Sequence, residues 1–336
     1  MPSREEIRAS ERGFSYRKLY NFAMRQSIAR VLLPLSAAAF IVSFFLMMRR
    51  VEPFYTFFFL FAWWSFLLML DSWLFLKGGE SLILEKPVEF LGFLVPLSAF
   101  IWFIFEAFNL RLANWAYAGV PANPWLRWPG NFLAFGTVLP GIFLTVNFME
   151  RVKIFPRNDF SLFFSEPLPG RIFAVSAASG ALMLALPLLW PNLFFPLVWG
   201  GFVLLLDPWV ARWKGKSLLQ EWRQKNFSRT LQLLLAGFIC GGLWEFWNFW
   251  AGAKWIYTVP LPESLLKNLK LFEMPVLGFL GFPPFALECF VMFEFTKCLK
   301  ERASSGVWKI MVLSAFTFML LMCRMMDKHT VISIID

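Results

Sequence analysis

Long apolar stretches recur along the whole chain, and they constrain its fold more than any other feature of the sequence. A helix needs about 20 consecutive apolar residues to cross the ~30 Å hydrocarbon core of a bilayer. The stretches here are rich in Leu, Phe and Ala, and they lack the short alternating pattern of barrel strands. The sequence therefore predicts an all-α, polytopic integral membrane protein with nine transmembrane helices, at residues 31–48, 54–76, 88–110, 130–149, 172–190, 193–211, 229–250, 272–296 and 308–326.

The composition supports a membrane location and explains the basic net charge. The 336 residues are 58% hydrophobic and 16% charged, more apolar than one soluble core could bury. If the N-terminus is cytoplasmic and the spans alternate in direction, 23 of the 32 Lys and Arg residues lie on the cytoplasmic side. This is the positive-inside bias. We therefore expect a multi-pass protein of the inner (cytoplasmic) membrane with its C-terminus outside, a lipid bilayer around it and no nucleic-acid partner.

Residues 1–30 are too charged for a signal peptide. Ser3 and Glu6 form a capping-box pattern, and apolar residues recur along one helical face. The sequence predicts a basic amphipathic helix on the cytoplasmic leaflet, its apolar face formed by Ile7, Phe14, Leu19 and Phe22.

Cysteine and histidine usage excludes several kinds of site. The four cysteines show no paired spacing, so neither a disulfide scaffold nor a cysteine metal site is predicted. The single histidine, His329, is near the C-terminus, which argues against bis-His haem, a His-ligated metal and a Ser-His-Asp triad. Nucleotide, Walker and HExxH motifs are also missing. We therefore predict no metal and no cofactor.

Two parts of the sequence repeat each other. "WSFLLMLDSW" answers "WGGFVLLLDPW", "WFIFEAFN" answers "GGLWEFWN", and "NWAYAGVP" answers "KWIYTVP". Each unit holds four spans, at 31–150 and 172–296, and the ninth span at 308–326 stands outside the repeat. An even number of spans gives both units the same orientation, with a pseudo-two-fold axis along the membrane normal. We expect a functional site at the interface between the units.

The repeat pairs four polar residues inside the third and seventh spans. Glu106 and Asn109 are three residues apart, as are Glu245 and Asn248, so each pair shares a helix face. A carboxyl group within a span costs free energy unless it is protonated, paired with another group or in contact with water. An ionisable residue in a span is therefore a candidate functional residue. The functional interpretation is a neutral carboxylic acid, held by an Asn amide inside a tryptophan-walled chamber.

A structural interpretation of the same region also stands. The glutamates would then make a helix–helix hydrogen bond, and we expect the neighbouring tryptophans to form an aromatic belt at the membrane interface. The belt would consist of Trp244, Trp247, Trp250 and Trp255.

Asp71 and Asp207 end their spans at the predicted cytoplasmic face. They are expected to be structural, either capping the segment that follows or pairing with Lys77 and Lys214.

The eighth span carries Pro275, Pro283 and Pro284, which predict a kink. Glu288 follows within the same span, and its counterpart in the first unit is Leu144. By helical rise Glu288 lies deeper than Glu245, so a long lipid chain could touch both carboxyls. The alternative is a transporter-like broken helix whose free carbonyls are satisfied by neighbours.

A Glu followed by Trp-x-Tyr, a proline-containing loop and the span "PPFALECFVMFEF" resembles the small membrane carotenoid enzymes, namely the heterodimer-type lycopene cyclases and the carotenoid hydratases. The resemblance covers the third and fourth spans of each unit. The cyclase pattern is Pro-x-Glu-Glu, whereas here Pro284 is followed by Phe-Ala-Leu-Glu.

The resemblance implies acid chemistry on a polyene. A neutral carboxylic acid in an apolar pocket protonates a double bond, and aromatic faces stabilise the resulting cation. Glu245 or Glu288 would be the acid, with Glu106 as the first-unit counterpart. The predicted substrate-binding residues are Asn109, Trp115, Tyr117, Trp244, Trp247, Asn248, Trp255, Tyr257 and Pro284.

Three functional classes remain open at this point. The first is a membrane protein that binds or transforms an isoprenoid-type lipid, and it requires an elongated aromatic chamber. The second is a small-solute or proton-coupled transporter, which requires a wet cavity reaching Glu106 and Glu245. The third is a non-catalytic subunit with a membrane-protein partner or an oligomeric state, and it predicts no cavity between the units.

Overall fold

The structure is a computed structural model that describes residues 4–156, 171–260 and 269–335, with the side chains of residues 4–19 outside the description. In these ranges, nine helices are long and apolar enough to cross a membrane. The predicted all-α polytopic fold is confirmed, and every predicted span overlaps one of these helices, although the predicted spans 54–76 and 272–296 begin before the helices do. They are α1 (Tyr20–Met48), α2 (Phe58–Leu76), α3 (Pro87–Leu112), α4 (Pro124–Arg151), α5 (Ile172–Leu189), α6 (Pro191–Arg212), α7 (Ser228–Trp250), α8 (Val276–Arg302) and α9 (Ser305–His329).

Several spans are not single regular helices. A short helix, Leu218–Arg223, precedes α7. In α3 a π-turn, Phe90–Leu94, precedes the helix Val95–Leu112, and α4 consists of two helices, Pro124–Phe135 and Val138–Arg151. In α6 a 3₁₀ turn, Phe195–Leu197, precedes the helix Val198–Arg212. In α8 a 3₁₀ turn, Val276–Gly281, precedes the helix Phe282–Arg302.

The predicted N-terminal tail has a helical backbone that continues into α1, as one helix Arg4–Met48. Ser3 and most side chains of the predicted amphipathic face lie outside the described residues. The amphipathic character of the tail therefore stays a prediction.

Short strands connect the helices at the end of the bundle where α3 and α7 finish. They are β1 (Trp115–Ala118), β2 (Val120–Pro121), β3 (Lys254–Tyr257), β4 (Lys270–Leu271), β5 (Met274–Pro275) and β6 (Ile334–Ile335). β1 pairs antiparallel with β3, β2 parallel with β6, and β4 antiparallel with β5. The β1–β3 ladder joins the two units outside the helical core.

Residues paired by the repeat make matching contacts near the opposite end of the bundle. Asp71 accepts a hydrogen bond from Ser81 Oγ at 2.7 Å, and Asp207 accepts one from Ser217 Oγ at 2.8 Å. Both carboxylates also accept backbone N–H groups of the residues after that serine. Of the two structural expectations for these aspartates, capping is the one that the structure shows.

The helical core lies between the units. Trp63 of α2 is fully buried, and its ring centroid lies 5.7 Å from that of Trp244 and 4.7 Å from that of Trp247, both on α7. By contrast, α1, α5 and α9 bury only a small share of their apolar residues, so these helices present the largest apolar surfaces to the surrounding lipid.

The predicted kink at Pro283 and Pro284 is wrong. Both prolines occupy the first turn of the helix Phe282–Arg302, where backbone N–H groups have no intrahelical acceptor in any case. Pro275, the third proline of the prediction, directly precedes the 3₁₀ turn Val276–Gly281. A break inside a helix lies in α6, where Trp199 (ψ 51°) and Gly200 (φ 168°) leave the helical conformation.

Candidate functional site

Glu106 is the centre of a hydrogen-bonded cluster in the first unit. It is completely buried, and its Oε1 accepts from Trp102 Nε1 at 2.9 Å, Trp115 Nε1 at 2.9 Å and Tyr117 OH at 2.5 Å. Trp102 lies one turn earlier on α3. Trp115 and Tyr117 are two residues apart on β1, so their side chains share one face of the strand. Glu106 Oε2 has no hydrogen-bond partner in the described part of the chain.

Glu245 is the centre of the equivalent cluster in the second unit. Its Oε1 accepts from Tyr257 OH at 2.7 Å and from Trp255 Nε1 at 3.2 Å, and the same indole N–H lies 3.0 Å from Tyr257 OH. Glu245 is completely buried, and its Oε2 lacks a partner among the residues described. Both units thus hold a carboxyl group against a phenol and an indole.

The asparagines do not hold the glutamates, so that part of the prediction is wrong. Asn109 Nδ2 donates to Trp115 O at 2.8 Å, and its Oδ1 accepts from Trp115 N at 3.2 Å. Asn248 binds the backbone of Trp255 in the same way, with both contacts at 2.9 Å. The donor and the acceptor of each amide are both hydrogen-bonded to the strand backbone. The asparagines therefore position the strands that carry the aromatic residues.

The β1–β3 register brings the two clusters together. Trp115 lies opposite Tyr257, and Tyr117 lies opposite Trp255. Side chains at directly opposed positions of an antiparallel pair are neighbours. The sheet therefore places both phenols and both indoles on one face, between the two carboxyls.

A cavity of about 500 Å³ lies against this face, between the units. Its wall is largely apolar. Two charged side chains reach it among the described residues, and both are paired: Arg127 Nε lies 2.7 Å from Asp327 Oδ1, and Lys254 Nζ lies 2.9 Å from Glu273 Oε1. The principal aromatic residues of the wall are Trp102, Trp115, Tyr117, Trp199, Trp244, Trp255, Tyr257 and Phe285.

The predicted site residues divide into those that line the cavity and those behind its wall. The lining residues are Trp115, Tyr117, Trp244, Trp255, Tyr257 and Pro284. The residues that lie outside the lining are Glu106, Asn109, Glu245, Trp247, Asn248 and Glu288. The carboxyls of Glu106 and Glu245 reach the cavity through the phenols and indoles that they bind, and their catalytic role stays a prediction.

The expected aromatic belt is wrong for Trp244 and Trp247. Their exposed fractions are 5% and 3%, because both rings pack against Trp63 in the core instead of facing lipid headgroups. Trp255 is bound to Glu245. Trp244 and Trp247 of α7 are therefore internal residues, with Trp244 in the cavity wall and Trp247 behind it.

The two phenols at the cavity are strong candidates for remaining protonated. Burial raises the pKa of Tyr117 and that of Tyr257 well above the ordinary value of a tyrosine. Each phenol donates to a glutamate oxygen, and each lines the cavity. When the carboxyl is protonated on that oxygen the contact reverses: the carboxyl O–H donates to the phenol oxygen, and the phenol O–H is free to protonate a ligand.

Glu288 occupies a different place from the other two glutamates. Its Oε1 accepts from the backbone N–H of Phe202 at 3.0 Å, and the backbone of Gly200 also interacts with the carboxyl group. These are the free amides that follow the break in α6, so Glu288 caps the helix that resumes there. Its Oε2 has no partner within the described ranges.

Sequence reasoning missed three contributors to the site. Trp102 belongs to the repeat, and its spacing of four residues before Glu106 is the only sequence signal for its role. The pair Arg127–Asp327, which holds α9 against α4 beside the cavity, joins residues too distant in sequence to be matched. Trp199 reaches the wall because of the α6 break, for which the "WGG" sequence was a weak signal.

A second cavity of about 630 Å³ lies near the opposite end of the bundle. Its wall carries charges of both signs from both units, including Lys86, Glu150, Glu221, Arg229 and Glu294. The two cavities therefore differ in character, one aromatic and one charged.

Comparisons of the chain with protein-family models, with curated proteins and with solved structures give no match. The function proposed for this protein accordingly depends on the geometry of the site.

Proposed function

We propose that the protein binds an apolar, isoprenoid-type lipid in the aromatic cavity, and that its glutamate–tyrosine pairs perform acid chemistry on a double bond of that lipid. The observation that carries the proposal is the pair of carboxyl–phenol–indole clusters set side by side in the wall of an apolar cavity between the units.

The wall favours an apolar ligand over a charged solute. Its two cations are already paired with Asp327 and Glu273, so a charged solute would have to displace an existing ion pair. The volume of about 500 Å³ falls in the range of roughly 300–1,000 Å³ that is usual for small-molecule sites. Indole and phenyl faces offer favourable contacts to a polyene and stabilise a cation formed from it.

The proposed chemistry needs no redox change. The π electrons of a double bond form a new C–H bond with the proton of a tyrosine O–H, and that tyrosine regains a proton from its glutamate. The carbocation is then consumed when a neighbouring carbon loses a proton to the second tyrosine–glutamate pair, which restores a double bond. The net change is a shift of the double bond; where a second double bond of the same lipid attacks the carbocation before the proton is lost, its π electrons form a C–C bond and the net change is a ring closure.

Ligand binding is tested with purified protein in mild detergent. All-trans-retinol, an isoprenoid polyene, should quench the tryptophan fluorescence of the wall at micromolar concentration, whereas hexadecanol, a saturated chain, should compete weakly. Ala134 lines the cavity and Ala178 is exposed on α5. Ala134→Phe should therefore weaken binding at least tenfold and Ala178→Phe should not; equal binding by the two variants contradicts the proposed site.

The acid chemistry is tested by incubating linear polyenes with the protein in D₂O and following deuterium incorporation by mass spectrometry. The wild type should introduce deuterium at carbon, and the double variant Glu106→Gln/Glu245→Gln should lose this activity by about 10²–10⁴-fold. If the double variant exchanges deuterium as fast as the wild type, the glutamates are not the acid.

Proton-coupled transport is the second candidate, and the charged cavity at the opposite end of the bundle favours it. In vesicles that enclose a pH-sensitive dye, a transporter would carry protons inward when a solute gradient is applied. The double glutamine variant would abolish that signal. We propose the cytoplasmic membrane as the location, with the N-terminus inside, on the basis of the positive-inside charge distribution.

A further inference from the structure

The two glutamate clusters differ in one donor. Glu106 Oε1 accepts three hydrogen bonds, from Trp102, Trp115 and Tyr117, whereas Glu245 Oε1 accepts two, from Trp255 and Tyr257. The indole contact of Glu245 is also the longer, at 3.2 Å against 2.9 Å in the first unit.

The missing donor has a structural cause that the repeat identifies. In the alignment of "WFIFEAFN" with "GGLWEFWN", the position of Trp102 is occupied by Gly241. A Cβ atom at Gly241 would lie 2.2 Å from the ring of Phe282, so α8 fills the space where a side chain at 241 would project. The second unit therefore has no room for the third donor.

Hydrogen bonds donated to one oxygen stabilise the ionised form of a carboxyl group. Because three donors bind one oxygen of Glu106, its ionised form is stabilised more than that of Glu245. The groups that face Glu245 include a further negative charge, since Glu273 interacts with it electrostatically, although Lys254 pairs with Glu273 at 2.9 Å. Both differences favour the neutral form at Glu245.

We infer that the two homologous glutamates have separate roles: Glu245 is the neutral acid that supplies a proton through Tyr257, and Glu106 is the anion that stabilises the cation and recovers the proton through Tyr117. The assignment of catalytic roles rests on the proposed function. The assignment of protonation states rests on the hydrogen bonds and on the charge of Glu273 near Glu245.

In this scheme the protons and electrons balance. The Glu245 carboxyl loses one proton as the double bond gains one, and the Glu106 carboxylate gains one when the carbocation loses one. The lipid is isomerised, no oxidant is consumed, and the two carboxyls return to their starting states by exchanging one proton with water. The division of roles also explains why the wall carries two clusters instead of one.

Infrared spectroscopy of the full chain at neutral pH tests the protonation states without any ligand. Glu245→Gln should remove a C=O stretching band of a neutral carboxylic acid, and Glu106→Gln should leave the neutral-acid bands unchanged and remove a carboxylate band. Loss of a neutral-acid band in both variants, in Glu106→Gln alone, or in neither would overturn the assignment.

Trp102→Phe provides a second measurement that does not alter either glutamate. It removes the third donor from Glu106 and keeps an aromatic ring at the wall, so a new neutral-acid band should appear. An unchanged spectrum would overturn the role given to Trp102.

Retinol binding, measured in parallel, separates this inference from the proposed function. If retinol binds but Glu106→Gln, and not Glu245→Gln, removes the neutral-acid band, the lipid site is supported and the division of roles is overturned. The expected band pattern without any binding overturns the lipid function and leaves the protonation assignment.

Discussion

Three of the four glutamates that are buried among the described residues are held by N–H and O–H donors and have no cation bound to them, whereas the fourth, Glu294, lies 4.0 Å from Lys297 Nζ. Glu106 and Glu245 use indole and phenol groups, while Glu288 uses backbone amides. Polar groups inside a bilayer are satisfied by neighbouring protein groups because lipid offers no alternative partner. The type of donor separates the two possible functional carboxyls from the structural one.

The cap formed by Glu288 predicts a difference between two substitutions. Glu288→Ala leaves the amides after the α6 break without an acceptor, so it should destabilise the protein by about 1–3 kcal/mol. Glu288→Gln keeps a carbonyl oxygen and should cost clearly less. Thermal unfolding in detergent measures both; equal losses would contradict the capping role.

The buried phenols predict an alkaline pH effect. The pKa of Tyr257 is higher in the folded protein than in the unfolded chain, where it is about 10. Above that pH the unfolded chain loses a proton that the folded protein retains, so stability falls as pH rises. Tyr257→Phe should show a shallower fall of Tm above about pH 10.

Tyr20→Phe is the matched control for this titration. Tyr20 is 70% exposed, so its removal should leave the slope of Tm against pH unchanged. Parallel slopes for the wild type and Tyr257→Phe would show that this phenol ionises normally.

Among the helices, apolar runs were sufficient to predict the existence and approximate position of each span in the described ranges, because length and hydropathy decide whether a helix can cross a bilayer. They were not sufficient for the α6 break or for the placing of Pro283 and Pro284 in the first turn of their helix. Where a helix starts within an apolar run depends on which neighbour satisfies its free amides. For α6 that neighbour is Glu288, which is distant in sequence.

Close packing of α7 against α8 predicts opposite effects for two glycines of α7. A Cβ atom at Gly237 would lie 2.4 Å from Phe282 O, whereas one at Gly242 would meet nothing within 4 Å. Gly237→Ala should destabilise the protein by about 1–3 kcal/mol through overpacking. Gly242→Ala should be neutral or stabilising by up to about 1 kcal/mol, since alanine favours the helix. Unfolding in detergent compares them, and a stable Gly237→Ala variant would argue against this contact.

At the scale of the whole molecule, the repeat located Glu106, Glu245 and the aromatic residues of β1 and β3 correctly within one region. It did not show that Asn109 and Asn248 bind backbone, or that Trp247 lies behind the wall. Equivalent positions are visible in sequence, but the direction of each side chain is set by packing between the units. The sequence could therefore predict many of the residues that belong to the site. It could not predict which of them line the cavity and which lie behind its wall.

The β1–β3 ladder predicts a cross-link between the units. Ala116 lies opposite Ile256, and opposed residues of an antiparallel pair have Cα atoms about 4.5–5.5 Å apart, within disulfide range. Ala116→Cys/Ile256→Cys should form a disulfide on mild oxidation, detected by mass spectrometry of linked peptides. The native cysteines are buried and free.

The control for this cross-link is Ala118→Cys/Ile256→Cys, which is diagonal by two residues and should remain reduced. Efficient oxidation of the diagonal pair, or none of the opposed pair, would be inconsistent with the register.

The pairing of β1 with β3 is self-complementary, because each tryptophan faces the tyrosine of the other unit: Trp115 faces Tyr257, and Trp255 faces Tyr117. Two identical copies of a single unit, related by a dyad, would form this same ladder. The β1–β3 ladder is thus the contact that two copies of one unit would make across a dyad, here formed within a single chain. Within one chain the two halves need not be identical, and the indole at 102 against the glycine at 241, opposite Phe282, is a difference that a symmetric dimer of identical chains could not contain.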